Sequence, residues 1–138
     1  MSKRVRLLAA AMIGVLTLMA VGMSSAQGNG PVPHVIKLDA GGKDYLPLLY
    51  GPPETVTMHS GLVTLAPGKS VGKHSTKNNE EMLIILEGKG EYRVEGGPIL
   101  KAQAGEALYC PPHREHDMVN TGKGILRYIY IVAKAEGK

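Results

Sequence analysis

Two short stretches of this chain carry the residue types that can hold an ion or activate a small molecule. One reads Gly105-Glu-Ala-Leu-Tyr-Cys-Pro-Pro-His-Arg-Glu-His-Asp-Met-Val-Asn120. A turn glycine opens it, a short apolar strand follows, Pro111-Pro112 breaks the strand, and His116 sits on a second strand that ends at Asn120. Two strands joined by a proline corner can aim a histidine inward from a fixed backbone, which suits a metal ligand. A hairpin that merely carries histidines fits the same pattern, and this stretch alone leaves both readings open. The other stretch runs from Gly68 through His74 and Thr76 to Glu80-Glu81, then Met82-Leu-Ile-Ile-Leu-Glu-Gly88. A histidine ends one strand, a carboxylate opens the next, and glycines bracket both.

Together the two stretches resemble the paired motifs of the cupin superfamily. The first motif reads Gly-x5-His-x-His-x(3,4)-Glu-x6-Gly, and Gly68, His74, Glu81 and Gly88 fall on it. The second reads Gly-x5-Pro-x-Gly-x2-His-x3-Asn, and Gly105, Pro111, His116 and Asn120 fall on that. Two positions depart: Thr76 stands where the family has its second histidine, and His113 replaces the internal glycine. The resemblance implies an all-β, cupin-type jelly-roll β-barrel with a site in its interior.

It also implies a ligand set. His74 and Thr76 are two residues apart and share one face of a strand, so Thr76 occupies the place of an imidazole, and threonine is a poor ligand for a divalent ion. His74, Glu81 and His116 remain. Two imidazoles and one carboxylate form a facial triad, with coordination positions left for substrate, water or dioxygen. The expected cofactor is one divalent transition metal, with iron, manganese, nickel and zinc all compatible. The competing reading is a degenerate cupin whose polar interior binds a small ligand directly. Glu81 is preferred to Glu80 because the six-residue gap to Gly88 and the alternation into Leu83 and Ile85 put Glu81 inside. His113, at the tip of the proline corner, reads first as a solvated loop residue, with an extra ligand or a base behind the ligands as the open alternatives, and His59 and His34 read as ordinary histidines. Tyr92, Tyr109, Tyr128 and Tyr130 are expected in or near the barrel.

The elements that position these residues read as strands. Residues 56–66, 71–74, 81–87, 91–95, 99–102 and 125–133 are extended, separated by glycine and proline turns, with no helical period. Glu91-Tyr-Arg-Val-Glu95 alternates cleanly, with Tyr92 and Val94 on one face. Residues 35–38 form a further strand candidate, and 45–50 is apolar but interrupted by Pro47, which suits an edge. Recurring short strands of this kind make a sandwich or barrel.

The 138 residues suffice for one domain. Lys3, Arg4 and Arg6, an uncharged run to Val21, and Ser24-Ser25-Ala26 have the order of a secretory signal peptide covering 1–26. Residues 27–55 then form an N-terminal extension with edge strands, and 56–135 the barrel. Of sixteen basic residues three lie in the leader, while all twelve acidic ones follow it, so the mature chain carries thirteen against twelve, a net +1. That balance excludes an obvious nucleic-acid footprint. With the leader gone, no stable membrane association is expected and the location is secreted or periplasmic. A single cysteine, Cys110, cannot form an internal disulfide and reads as a small buried hydrophobe.

The expected function is a metal-dependent enzyme of oxygenase, isomerase or decarboxylase type acting on a small polar molecule. The alternative is a non-catalytic binder of a sugar or organic acid in the same cavity. Both readings make a small molecule the partner. A homodimer is expected as well, because Met82, Ile84 and Leu86 form an outward apolar row once Leu83 and Ile85 face the cavity. Burial of that row by the chain's own N-terminal strands is the competing explanation.

Overall fold

The structure, a computed structural model, describes residues 30–135. Among them run nine strands: β1 (Tyr45–Tyr50), β2 (His59–Leu65), β3 (His74–Ser75), β4 (Asn79–Glu87), β5 (Lys89–Val94), β6 (Ile99–Gln103), β7 (Ala107–Cys110), β8 (Glu115–Asn120) and β9 (Leu126–Lys134). They form two antiparallel sheets, one ordered β1-β2-β9-β4-β7 and the other β3-β8-β5-β6. The fold is therefore an all-β jelly roll, built as two facing sheets.

β4 explains why a strand can be apolar on both faces. Glu81, Leu83 and Ile85 are buried between the sheets, while Met82 and Leu86 are exposed on the other side. The outer residues lie in one patch with their neighbours on β9, since Met82 pairs with Ile131 and Ile84 with Ile129. Inside, Leu83, Ile85, Leu108, Met118 and Leu126 pack with Tyr92 and Tyr128. With no Phe or Trp in the chain, tyrosines supply the aromatic bulk of the core. Each large side chain buried there contributes roughly 1.5–3 kcal/mol.

One end of the sandwich is closed by buried polar and glycine positions. Asn120 is 1% exposed. Its amide donates to the carbonyls of Leu65 (2.8 Å) and Gly124 (2.9 Å), and its side-chain oxygen accepts from the Gly122 N–H at 2.9 Å. It thereby ties β8 to the end of β2 and to the β8–β9 turn. Gly88, between β4 and β5, has φ 78°, and a Cβ there would run into the Ile125 carbonyl oxygen. No other residue fits both conditions. These motif residues hold the chain's corners and carry no chemistry.

Several boundaries differ from the sequence expectation. Residues 35–38 form no strand. Residues 56–58 belong to the turn that precedes β2, and β3 begins only at His74, preceded by a lone bridge between Ser70 and Val119. Pro47 does lie on an edge strand, where the β1–β2 register slips between Pro47 and Leu49. The leader, residues 1–26, lies outside the described residues.

Replacing Asn120 with Ala leaves the carbonyls of Leu65 and Gly124 and the Gly122 N–H without their partner. The expected cost is about 2–3 kcal/mol, read as a shift of the urea midpoint with unchanged slope. A loss below about 0.5 kcal/mol would assign the clamp no part in stability.

Candidate metal centre

β3 and β8 are neighbours in one sheet, and their register sets His74 directly opposite His116. β4 belongs to the facing sheet and begins its buried row with Glu81. The three side chains converge across the sandwich, with one ligand atom from each lying within 4.8 Å of the other two. Glu81 and His116 are buried and His74 is exposed, so the group stands where the interior opens to solvent. The imidazoles of His74 and His116 meet edge to face with centroids 4.6 Å apart. Glu80 points outward and accepts a hydrogen bond from the Tyr109 phenol at 3.0 Å.

The backbone decides which ring nitrogens face the centre. His74 Nδ1 is 2.8 Å from the Gly72 carbonyl, and His116 Nδ1 is 3.0 Å from that of Arg114. A carbonyl only accepts, so both Nδ1 atoms carry a proton and the Nε2 lone pairs are left for the site. His116 Nε2 lies 2.8 Å from Glu81 Oε2. It nonetheless forms no directed hydrogen bond with that oxygen and remains a buried nitrogen without a hydrogen-bond partner. The separation suits two ligands of one ion: donors about 2.1 Å from a metal at adjacent positions stand about 3 Å apart. The donor set therefore fits a divalent cation.

Tyr92 completes the arrangement. Its hydroxyl donates to Glu81 Oε2 at 3.0 Å, and its ring stacks on His116 with centroids 5.0 Å apart. Burial, and then the charge of Glu81, push the phenol well above its ordinary pKa, so it stays a donor and fixes the carboxylate. Cys110 is buried against the other side of His116, its Sγ 3.5 Å from Nδ1. Burial pushes its thiol pKa up as well, in keeping with the buried hydrophobe expected.

A cavity of about 430 Å³ is lined by the three candidate ligands and walled by Val63, Leu83, Met118, Tyr128 and Val132 among others. Thr76 also lines it, but the hydroxyl is turned back to donate to the Asn79 carbonyl at 2.9 Å. His113 is exposed at the proline corner, with φ 60° and its N–H bonded to the Lys77 carbonyl at 2.7 Å. A left-handed residue is what a glycine at that motif position would supply, and histidine tolerates it at a small cost. His59 and His34 lie outside the group: His59 opens β2 opposite Tyr50, and His34 Nε2 is 3.7 Å from Glu54. Tyr109 is on the outer face because Leu108 and Cys110 point inward on either side of it. The residue that sequence reasoning passed over is Tyr45. It lines the cavity and bonds Tyr130, although its place on a proline-broken edge strand gave no sign of that.

The Cupin domain family model matches residues 61–132. No curated protein matches the chain. Among solved structures, a cupin protein of Bacteroides fragilis superposes with a TM-score of 0.62 at 24% identity, over 78% of this chain and 92% of that one. A predicted oxalate decarboxylase of Thermotoga maritima gives 0.61 at 24% identity, over 66% and 79%. The Cnp3 cupin domain of Schizosaccharomyces pombe gives 0.59 at 22% identity, over 66% of this chain and 64% of that one. These likenesses establish the fold, and the family match extends over both stretches that carry His74, Glu81 and His116, so this chain belongs to the cupin family.

Proposed function

We propose that this protein binds one divalent transition metal through His74, Glu81 and His116 and uses it as an enzyme on a small molecule, in an oxygenase, isomerase or decarboxylase type of reaction. The observation that carries the reading is the partnerless Nε2 of His116, buried 2.8 Å from the Glu81 carboxylate. A nitrogen lone pair and a carboxylate oxygen held this close repel one another unless a metal ion or the second proton of an imidazolium lies between them, and the contact lacks the direction of an N–H hydrogen bond. When bound, the metal supplies Lewis acidity and open coordination positions. The protein's own part is to fix both imidazole tautomers through Gly72 and Arg114, to hold Glu81 through Tyr92, and to surround the reacting molecule with walls that exclude water.

A non-catalytic binder with the same cavity is the second reading, favoured by Thr76, whose hydroxyl is committed to Asn79 and gives the ion no fourth protein ligand. Metal analysis of untagged protein separates the two. Near-stoichiometric metal is expected in the wild type, with most of it lost in His116→Ala because two ligands rarely hold an ion firmly. Tyr92→Phe should weaken metal affinity roughly 10-fold, the usual cost of removing a group that orients a ligand. Wild-type protein with little metal, unchanged by His116→Ala, leaves only the binder.

The outer row of β4 supports a homodimer. Met82 is 42% and Leu86 39% exposed, beside the half-buried Ile84, Ile129 and Ile131. Residues 38–44 of the N-terminal segment instead lie around Leu62, Thr64 and Arg127, which leaves the β4 row for a second copy. Ile84→Lys is expected to give a folded monomer by light scattering. A wild type already monomeric at micromolar concentration rules the dimer out.

Export follows from the charged, apolar and small-residue order of residues 1–26. N-terminal sequencing of secreted or periplasmic material should begin at Gln27, whereas a chain that keeps Met1 and stays with membranes refutes it.

A further inference from the structure

The cavity has polar groups in two places. One is the His74, Glu81 and His116 group. The other is the pair of phenols of Tyr45 on β1 and Tyr130 on β9, which lie 2.8 Å apart, oxygen to oxygen. Their rings are parallel within 5°, with centroids 6.4 Å apart. Beneath them is Gly61 of β2, which faces Tyr130 on one side and Pro47 of β1 on the other. A Cβ at Gly61 would come within 2.7 Å of both rings. Its backbone is ordinary strand, so the missing side chain serves the two rings and not the chain's path. A glycine inside a strand marks such a close approach.

Two hydroxyls hold two protons, and the bond between them uses one. One O–H is left to donate, and Tyr45 is exposed enough to offer it to a ligand. Burial, and then the bond to Tyr45, raise the Tyr130 phenol above its ordinary pKa, so that hydroxyl remains protonated. The pair thus offers one O–H donor to an oxygen acceptor such as a carbonyl or hydroxyl. The remaining walls are mostly apolar, Val63, Leu83, Met118 and Val132, with the Tyr128 ring among them. Among the described residues no lysine or arginine lines the cavity. A divalent ion and Glu81 together leave one positive charge, enough for one anionic donor, and nothing in the cavity neutralises a second.

We propose that the Tyr45–Tyr130 pair is a second polar anchor of the cavity, and that the ligand is a small, mostly apolar monoanion with one neutral oxygen acceptor distant from its metal-directed carboxylate or enolate. This rests on the metal reading above, and it replaces the expectation of a generally polar substrate. Tyr45 and Tyr130 are specificity residues: they choose among molecules whose anionic end the metal already holds. Dianions are disfavoured.

The test uses mature protein loaded with Co²⁺, whose visible spectrum reports ligands entering the metal's open positions. Three families of probe are titrated at matched chain lengths: straight-chain carboxylates, the same acids with a keto group at the penultimate carbon, and dicarboxylates. At one chain length the keto acid should bind about fivefold more tightly than the plain acid, the ratio that one neutral hydrogen bond supplies. Dicarboxylates should bind more weakly than plain acids at every length. In the double variant Tyr45→Phe/Tyr130→Phe, which keeps both rings and removes both hydroxyls, the keto preference should fall to about one. Gly61→Ala, which pushes both rings aside, should do the same. A wild type with no keto preference at any length overturns the proposal, as does a preference that survives in the double variant, or dicarboxylates bound best. Failure to take up Co²⁺, or a spectrum that no carboxylate alters, defeats the metal reading and this inference with it. A spectrum that responds to plain acids without the keto preference defeats this inference alone.

Discussion

The interior of this jelly roll contains a carboxylate, and that is the constraint to which the surrounding structure answers. Glu81 is 6% exposed among apolar and aromatic side chains, where an ionised group must find compensation or lose its charge. Tyr92 supplies one hydrogen bond, 3.0 Å long. His116 stands within contact distance but directs no hydrogen bond at the carboxylate, because its Nδ1 proton is held by the Arg114 carbonyl and its lone pair faces the cavity. One donor and two nearby imidazole nitrogens form the set that the proposed cation would use. The backbone carbonyls of Gly72 and Arg114, though they touch no ligand, do as much to define the centre as the three side chains.

β8 puts stability and chemistry on one line. Its inward residues are His116, Met118 and Asn120, each two positions from the next and so on the same face. His116 belongs to the open end, Met118 to the apolar middle, and Asn120 to the clamp at the closed end. β4 repeats the gradient with Glu81 at its open end and Ile85 deeper. A strand with period two can carry such a gradient only if its register is fixed, because a slip of one residue would turn Glu81 and His116 outward together. Asn120 and the corner at Gly88 hold that register from the far end, which accounts for their place in the same motifs as the ligands.

This division explains what the sequence made legible. His74, Glu81 and His116 could be placed together because strand period and motif spacing constrain them, and the structure does bring them within 4.8 Å. The choice of Glu81 over Glu80 followed from the six-residue gap to Gly88 and from alternation. His113 was open to reading because a glycine position in a proline corner is a backbone requirement, and an exposed left-handed residue satisfies it. Residues 35–38 looked like a strand because β-propensity cannot say whether an edge is within reach. Tyr109 was expected near the interior, but its face is set by Leu108 and Cys110 on either side. The Tyr45–Tyr130 contact joins positions 85 residues apart through a third strand, and no local pattern encodes a contact of that kind.

Gly61 is where the two kinds of information meet. A β-branched residue there would favour the strand, and the backbone conformation would accept it. The glycine sacrifices that propensity, and burial of a side chain, for room in which two phenols lie side by side against the cavity. A core optimised only for stability has no use for such an exchange, since the Tyr45 ring is 47% exposed and returns little burial. The exchange has a use if the hydroxyls face a ligand. On this argument Gly61 serves the proposed second anchor of the cavity and not the stability of the sheet.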